Sequence, residues 1–185
     1  MNENNTLVRS MHDLGLAAWF GGSLMGAIGL NGAASHAADP KERLTLSSKG
    51  WGMWSPVNAA AIGAHVVGSL GLIAANKSRL ALQPGAQLNT VVKSALTVFT
   101  AGVTAYSGVL GAKVAKQAKE GEGGEGATEP EPTASKKLSA AQGQLKALQW
   151  AIPALTGTLV VLAAQQGEQQ RYEPTASRWW SRRHH

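Results

Sequence analysis

The sequence contains no cysteine, and this absence removes a group of functions from consideration. Disulfide bonds, thiolate nucleophiles, cysteine-ligated zinc and iron–sulfur clusters all require that side chain. Aromatic residues are also scarce, with two Phe, two Tyr and six Trp among 185 residues. The apolar content is therefore mostly Ala, Val, Leu and Gly, and helices of this composition approach one another closely through small side chains.

Charged residues are missing from four long stretches, and this second absence indicates the fold class. The stretches are residues 14–34, 50–76, 94–112 and 147–164. A helix of about 20 residues, at about 1.5 Å per residue, crosses the hydrocarbon core of a bilayer. We therefore predict an all-α integral membrane protein. Its expected form is a four-helix up-down bundle with spans at 7–34, 55–75, 93–113 and 147–165.

The segments between the spans are polar. Residues 35–53 have the composition of a polar connection, and Trp51 and Trp54 suit the headgroup level of the bilayer. From residue 120 the sequence is rich in Glu, Gly and Pro, and such a segment buries too little apolar surface to offset its chain entropy. We predict a disordered, flexible acidic linker over 120–137 and a polar, aromatic C-terminal tail over 166–185.

Small residues recur at intervals of three or four positions in the first three spans, which places them on one face of each helix. In the first span Gly22 and Gly26 form a GxxxG pair, whose missing side chains let a second helix approach closely. The predicted helix-packing residues are Ala18, Gly22, Gly26, Gly29, Ala60, Ala64, Gly68, Thr104 and Gly108.

The distribution of positive charge bears on location. Four spans put both termini on one side, where eight Lys and Arg residues face nine on the other side. Because charges in long loops count for less, we expect cytoplasmic termini and a multi-pass protein of the bacterial cytoplasmic (inner) membrane. The net charge of +6 comes from span flanks and tails, so the expected partner is the lipid bilayer and not nucleic acid.

Two histidines are the candidates for chemistry, because a histidine that faces a membrane interior is costly without a partner. Together His12 and His65 could hold a b-type haem. Their expected depths argue against this, since the helical rise predicts an offset of roughly 7 to 18 Å between them. For His65 alone, one interpretation is a hydrogen bond to a Ser, a Thr or a backbone carbonyl of a neighbouring helix. The other is binding of a quinone, a proton or a single metal.

One motif resembles a known family. His12-x-Leu14-x-x-x-x-Trp19-x-Gly21-Gly22 resembles the first-helix signature of copper-resistance D-type membrane proteins and of related uncharacterised four-helix bacterial families. The resemblance covers residues 12–22 and implies a small helical bundle with His12 and Trp19 near one membrane face. For the copper branch it implies metal handling, although Met25, Met53 and His65 offer no compact copper-ligand cluster beside His12.

The usual signatures of soluble enzymes are absent: the sequence has no phosphate-binding P-loop, no HExxH and no nucleophile elbow. We therefore expect no enzyme and no resident cofactor. The favoured interpretation is a non-catalytic accessory or scaffolding subunit whose small-residue faces pack against larger integral membrane protein subunits. One alternative is a redox or metal-handling protein with haem b, a quinone or copper at His65 or His12. Another is a carrier for a small apolar or lipid-like solute, with the glycine stripes and a kink at Pro153 along its path.

Overall fold

The computed structural model describes the backbone of residues 3–77 and 84–169, and the side chains of residues 6–77 and 87–165 within those ranges. Its elements are α1 (Glu3–Met25), a π-helical turn (Gly26–Leu30), α2 (Asn31–Ser35), α3 (Pro40–Ala75), α4 (Pro84–Lys119) and α5 (Lys136–Gln169). The π-helical turn joins α1 directly to α2, so these three elements form one continuous first helix.

The four long helices form a ring. α1 packs against α3, α3 against α4, α4 against α5, and α5 returns to α1. Each helix is long and apolar enough to cross a membrane, over Thr6–Ser35, Pro40–Ala75, Gln87–Lys119 and Lys136–Gln165. Large apolar side chains such as Leu70, Val98 and Phe99 point outward, as on lipid-facing surfaces. The predicted all-helical, four-helix bundle of a multi-pass membrane protein is confirmed.

The helices extend further than the predicted spans. Residues 40–53, predicted as a polar connection, form the first turns of α3. This helix begins at Pro40, and the Asp39 carboxylate caps it by accepting a hydrogen bond of 2.9 Å from the Lys41 amide. The expected connection is wrong there, because Asp-Pro starts a helix as readily as it makes a turn. The predicted tail is still helical to Gln169, and its remainder lies outside the described residues.

The helix extensions and the loop that follows α4 form a head at one end of the bundle. We define the head as residues 40–49 and 113–146, which carry the charges that border the uncharged stretches. Its apolar core consists of the buried residues Leu44, Val114, Leu138 and Ala141, packed with Leu110 of the adjoining uncharged stretch of α4. Three helices therefore continue past the uncharged part of the bundle with a core of their own.

The loop over residues 120–135 is ordered, so the predicted disordered linker is wrong. Gln142 of α5 is fully buried, and its Nε2 donates hydrogen bonds of 3.1 to 3.3 Å to three loop carbonyls. These carbonyls belong to Gly126, Ala127 and Glu129. Arg43 of α3 donates from Nη1 to a further loop carbonyl. The loop has few apolar side chains, but its backbone acceptors are satisfied by side chains of the helices.

Candidate functional site

The closest contact in the bundle joins α1 to α3 through glycines. A Cβ atom at Gly68 would lie 2.6 Å from the carbonyl oxygen of Val8 and 2.8 Å from the Cα of His12. A Cβ atom at Gly15 would lie 2.6 Å from the amide nitrogen of His65. Only glycine fits such positions, where two backbones touch. These contacts fix the register between the two helices.

That register brings the two candidate histidines together. The ring centroids of His12 and His65 are 4.4 Å apart, with the rings tilted by 43°, and both residues are buried. The offset predicted from their depths is therefore wrong. The helix begins at Glu3 and not at the predicted residue 7, which places His12 about 14 Å along it. His65 lies about as deep when counted from the end of α3 at Ala75.

Hydrogen bonds hold both imidazole rings. His65 donates from Nδ1 to the backbone carbonyl oxygen of His12 over 3.1 Å, and Nδ1 of His12 lies 2.7 Å from Oδ1 of Asp13. Because a carbonyl oxygen only accepts, Nδ1 of His65 must carry the hydrogen. The interpretation of His65 as bonded to a backbone carbonyl of a neighbouring helix is confirmed.

The histidine pair does not fit the haem that the sequence raised as an alternative. The two rings touch, whereas two axial ligands must lie on opposite faces of the macrocycle. For copper, no group of three or more His, Asp or Glu side chains in the described ranges has a metal-binding arrangement. The geometry instead assigns His12 and His65 to the contact between α1 and α3.

Trp19 fills the centre of the bundle beside this pair. It is fully buried, and its Nε1 donates to Oγ1 of Thr104 on α4 over 3.2 Å. The bond crosses the bundle from α1 to the helix opposite. The Trp19 ring also meets the His65 ring edge-on, with centroids 6.3 Å apart, and Leu16 and Leu159 complete this cluster. These side chains form a buried apolar cluster around the ring of Trp19.

The GxxxG pair receives side chains instead of a helix backbone. The indole ring of Trp54 lies against Gly22, where a Cβ atom would come within 2.8 Å of its Nε1. The ring of Trp51 lies against Gly26 in the same way. The missing side chains of this pair are therefore used within the chain, by aromatic residues of α3.

The other predicted helix-packing residues differ in their surroundings. Ala18 and Ala64 are half-buried, whereas Gly29, Ala60 and Gly108 are exposed. The buried stripe of α3 runs through Ala61, His65 and Gly68, so it includes only one of the three positions predicted for that helix. Contact of the exposed residues with other proteins stays a prediction.

A cavity of about 270 Å³ lies in the half of the bundle next to the head. It is lined mainly by α3 and α4, and it is closed at the back by the first helix, by α5 and by the loop. Ten of its 21 lining residues carry a hydroxyl or amide side chain, and none of the described lining residues is charged. The cavity is therefore neutral, and its mainly apolar surface carries several hydroxyl and amide groups.

The cavity forms where small residues of two helices face each other. Trp51 and Trp54 of α3 turn toward α1, which leaves Gly52 and Ser55 facing α4. On α4 the lining includes small residues such as Gly108. Gly52, Ser55 and Gly108 are also exposed, so the mouth opens sideways between the two helices.

The mouth lies near the charged ends of the uncharged stretches of α3 and α4. Gly52 comes three residues after Lys49, and Gly108 comes five residues before Lys113. Because lysines that flank a span lie at the membrane surface, the mouth is expected to face the level of lipid headgroups.

A chain of hydrogen bonds forms the inner wall of the cavity. Trp51 donates from Nε1 to Oδ1 of Asn31 over 2.9 Å, and Asn31 donates to Oε1 of Gln149 over 3.0 Å. Gln149 in turn donates to Oγ1 of Thr128 over 3.2 Å. The chain links α3, α2, α5 and the loop, and each amide is oriented by the neighbour that it meets.

Two polar atoms of the cavity wall are without a partner. Nε1 of Trp54 and Oδ1 of Asn58 are buried and form no hydrogen bond to the part of the chain that the structure describes. Both side chains line the cavity. Nearly all buried polar groups are paired, and an unpaired one costs about 1 to 3 kcal/mol. These two atoms make the cavity the candidate functional site.

Comparison with protein-family models, with curated proteins and with solved structures finds no match to this chain. The function is therefore inferred from the geometry of the site. Sequence analysis missed the cavity because it weighed charged and titratable residues. The residues that could have indicated the cavity are uncharged: Asn31 and Asn58 are lone amides within otherwise apolar stretches of their helices.

Proposed function

We propose that the protein binds and carries a lipid-like amphiphile, with the polar end of the molecule held in the cavity between α3 and α4. The observation that supports this most directly is the unpaired Oδ1 of Asn58, buried in the wall of a cavity that opens at headgroup level. Of the interpretations that the sequence left open, this proposal develops the carrier for a lipid-like solute.

The size of the cavity and the surface around it suit such a molecule. A volume of about 270 Å³ is just below the usual range for ligand pockets, which is about 300 to 1,000 Å³. It accommodates a headgroup but not a whole lipid. Next to the mouth, Met53, Val57 and Val109 are exposed apolar residues on α3 and α4. An apolar tail would lie along this surface, in the hydrocarbon layer of the bilayer.

The contacts in the structure support the accessory-subunit interpretation less than the sequence pattern does. Its main surface was the small-residue stripe of the first span, and Trp54 and Trp51 cover Gly22 and Gly26 of that stripe. Gly29 and Ala60 are exposed and keep this interpretation open as a second hypothesis. Purification of the full chain from its native membranes tests it, because larger subunits in a fixed ratio would support it.

The proposed function is tested by lipid retention. The full chain is extracted from native membranes with a styrene–maleic acid polymer, exchanged into mild detergent, and its bound lipids are quantified by mass spectrometry. We expect one class of amphiphile to be retained in a fixed ratio to the protein. A composition equal to that of the bulk membrane would contradict the proposal.

A pair of variants localises the retained molecule. Gly108→Leu places a side chain in the mouth of the cavity, and a Cβ atom there meets no other atom within 4 Å, so the fold tolerates it. Gly102→Leu is the matched control, because Gly102 lies on the same helix, is equally open and does not line the cavity. We expect Gly108→Leu to lose the molecule and Gly102→Leu to keep it. Equal retention in both variants would place the molecule elsewhere.

A further inference from the structure

Three serine hydroxyls of the cavity wall can only accept hydrogen bonds from a ligand, whereas Ser48 and Ser107 form no hydrogen bond within the described residues and can also donate. Ser23, Ser47 and Ser55 each donate their single hydrogen to a carbonyl oxygen of their own helix, over 2.9, 3.1 and 2.7 Å. A hydroxyl has one hydrogen and two lone pairs, so acceptor capacity remains on each oxygen. Three acceptors of the wall are thereby defined by bonds within the chain.

The amides of the wall offer both kinds of group. Asn31 and Gln149 each use one of their two amide hydrogens in the chain of hydrogen bonds along the inner wall. The Asn58 amide forms no hydrogen bond within the part of the chain that the structure describes, and its Oδ1 is buried. The terminal torsion of an amide side chain is soft, so a small rotation turns the Asn58 amide toward a bound molecule, to which it can donate and from which it can accept. Nε1 of Trp54 is also unpaired, but it lies against Gly22.

Charge narrows the choice of ligand further. A cationic head would meet acceptors, but none of the described lining residues supplies a counter-charge, and a buried cation without one is costly. An anionic head would meet donors, but none of the described lining residues supplies a positive charge, and a buried anion without one is costly as well. A hydroxyl group donates one hydrogen and accepts one, which matches an uncharged wall with both donors and acceptors.

We infer that the cavity selects an uncharged, hydroxyl-bearing headgroup, of the glycerol or sugar type, and discriminates against carboxylate, phosphate and ammonium heads. This inference rests on the proposed function, since it specifies the molecule that the same cavity holds. Asn58 accepts from one hydroxyl of the head and donates to another. The serine hydroxyls accept from the remaining hydroxyls.

Selectivity is measured with four amphiphiles that share an eight-carbon chain. The full chain is placed in phosphatidylcholine nanodiscs and titrated with octanoylglycerol, octyl glucoside, octanoate and octylamine below their micellar concentrations. Tryptophan fluorescence reports binding, because Trp51 and Trp54 lie in the cavity wall. We expect saturable changes with the first two compounds and binding at least about 10-fold weaker with the charged pair.

Asn58→Leu tests the named amide. Loss of each neutral hydrogen bond weakens binding of octanoylglycerol by about 2- to 10-fold. Ser69→Ala is the control on the same helix, since Ser69 bonds only to the carbonyl oxygen of His65 and does not line the cavity. Its affinity is expected to equal that of the wild type, and the thermal stability of both variants confirms that they fold. Wild-type affinity in Asn58→Leu would overturn the role of Asn58.

The outcomes separate the inference from the proposed function. If the charged amphiphiles bind as tightly as the neutral ones, headgroup selectivity is overturned while amphiphile binding stands. If a lipid with a charged headgroup is retained in a fixed ratio from native membranes, the inference again fails alone. If none of the four compounds binds saturably and no lipid is retained, both fail.

Discussion

Substitution of Gly68 by Ala tests the contact that fixes the register between α1 and α3. The added Cβ atom would lie 2.6 Å from the carbonyl oxygen of Val8, whereas ordinary van der Waals contact begins at 3.4 Å. The atoms of α1 that this Cβ atom would meet belong to the backbones of Val8 and His12, so no side-chain rotation can relieve the clash. The His12 amide nitrogen lies closer still, so we expect the two helices to move apart by about 1 Å to relieve the clash.

The size of the effect follows from three contributions. Overpacking of this kind costs about 1 to 3 kcal/mol. The same movement stretches the hydrogen bond from His65 to the His12 carbonyl, which is worth about 1 kcal/mol. Alanine returns about 1 kcal/mol through its higher helix propensity. The net free energy of unfolding should therefore fall by about 1 to 3 kcal/mol.

Gly63→Ala is the matched control on the same helix. It has the same propensity gain, and its Cβ atom meets nothing within 4 Å, so the variant should be stabilised by up to about 1 kcal/mol. Unfolding is followed by circular dichroism in detergent micelles as the mole fraction of sodium dodecyl sulfate rises. The two variants should shift the midpoint in opposite directions. Coincident midpoints would refute the backbone contact between α1 and α3.

Two further predictions concern the loop and the bundle centre. Gln142→Leu removes the donor that holds three loop carbonyls. A glutamate-specific protease should therefore cut within residues 120–135 at least about 10-fold faster. Gln144→Leu, on the exposed face of α5, is the control and should not change the cleavage rate. Equal cleavage rates would show that Gln142 does not anchor the loop. Trp19→Phe should lower the free energy of unfolding by about 1 to 3 kcal/mol through the lost bond to Thr104 and the space left behind. Trp150→Phe, half of whose side chain is exposed, should change it by less than about 0.5 kcal/mol, and similar losses in both would contradict a structural role for Trp19.

The fold class was predictable because each membrane span requires about 20 consecutive uncharged, mainly apolar residues, which are visible in the sequence. Four uncharged stretches predicted four helices, and the structure has them. The helix ends were not predictable in the same way, because charge indicates where water begins and not where a helix ends. Residues 40–49 are charged and helical, since the head continues three helices beyond the uncharged stretches.

The error over the two histidines has the same origin. The first helix begins four residues before its predicted start, which corresponds to about 6 Å of helical rise. That difference is comparable to the lower end of the predicted offset between His12 and His65. Gly15 and Gly68 fix the register between α1 and α3, because a side chain at either position would collide with the backbone of the other helix. Sequence spacing identifies such glycines but does not pair them across helices.

The loop shows a different limit. The premise of the predicted disorder was right, because residues 120–135 bring little apolar surface to the fold, but its conclusion was wrong. Order comes instead from Gln142 and Arg43, which lie on two separate helices and bond to loop carbonyls. A backbone acceptor carries no sequence signal, so bonds of this kind appear only once the helices are placed.

Glycine has opposite consequences at the two ends of the interface between α1 and α3. Near the histidine pair, Gly15 and Gly68 let backbone meet backbone, and Trp19 fills the remaining space. Near the head, Gly22 and Gly26 instead receive the rings of Trp54 and Trp51.

Because Trp51 and Trp54 turn toward α1, mainly small residues of that part of α3 face α4, and the cavity forms there. The end at the histidine pair therefore carries stability, and the cavity end bears two unpaired polar atoms at a cost in stability. Substitutions at the histidine end should lower stability, whereas those at Asn58 or Gly108 should lower ligand binding without lowering stability. A chain in which both losses always occur together would contradict this division.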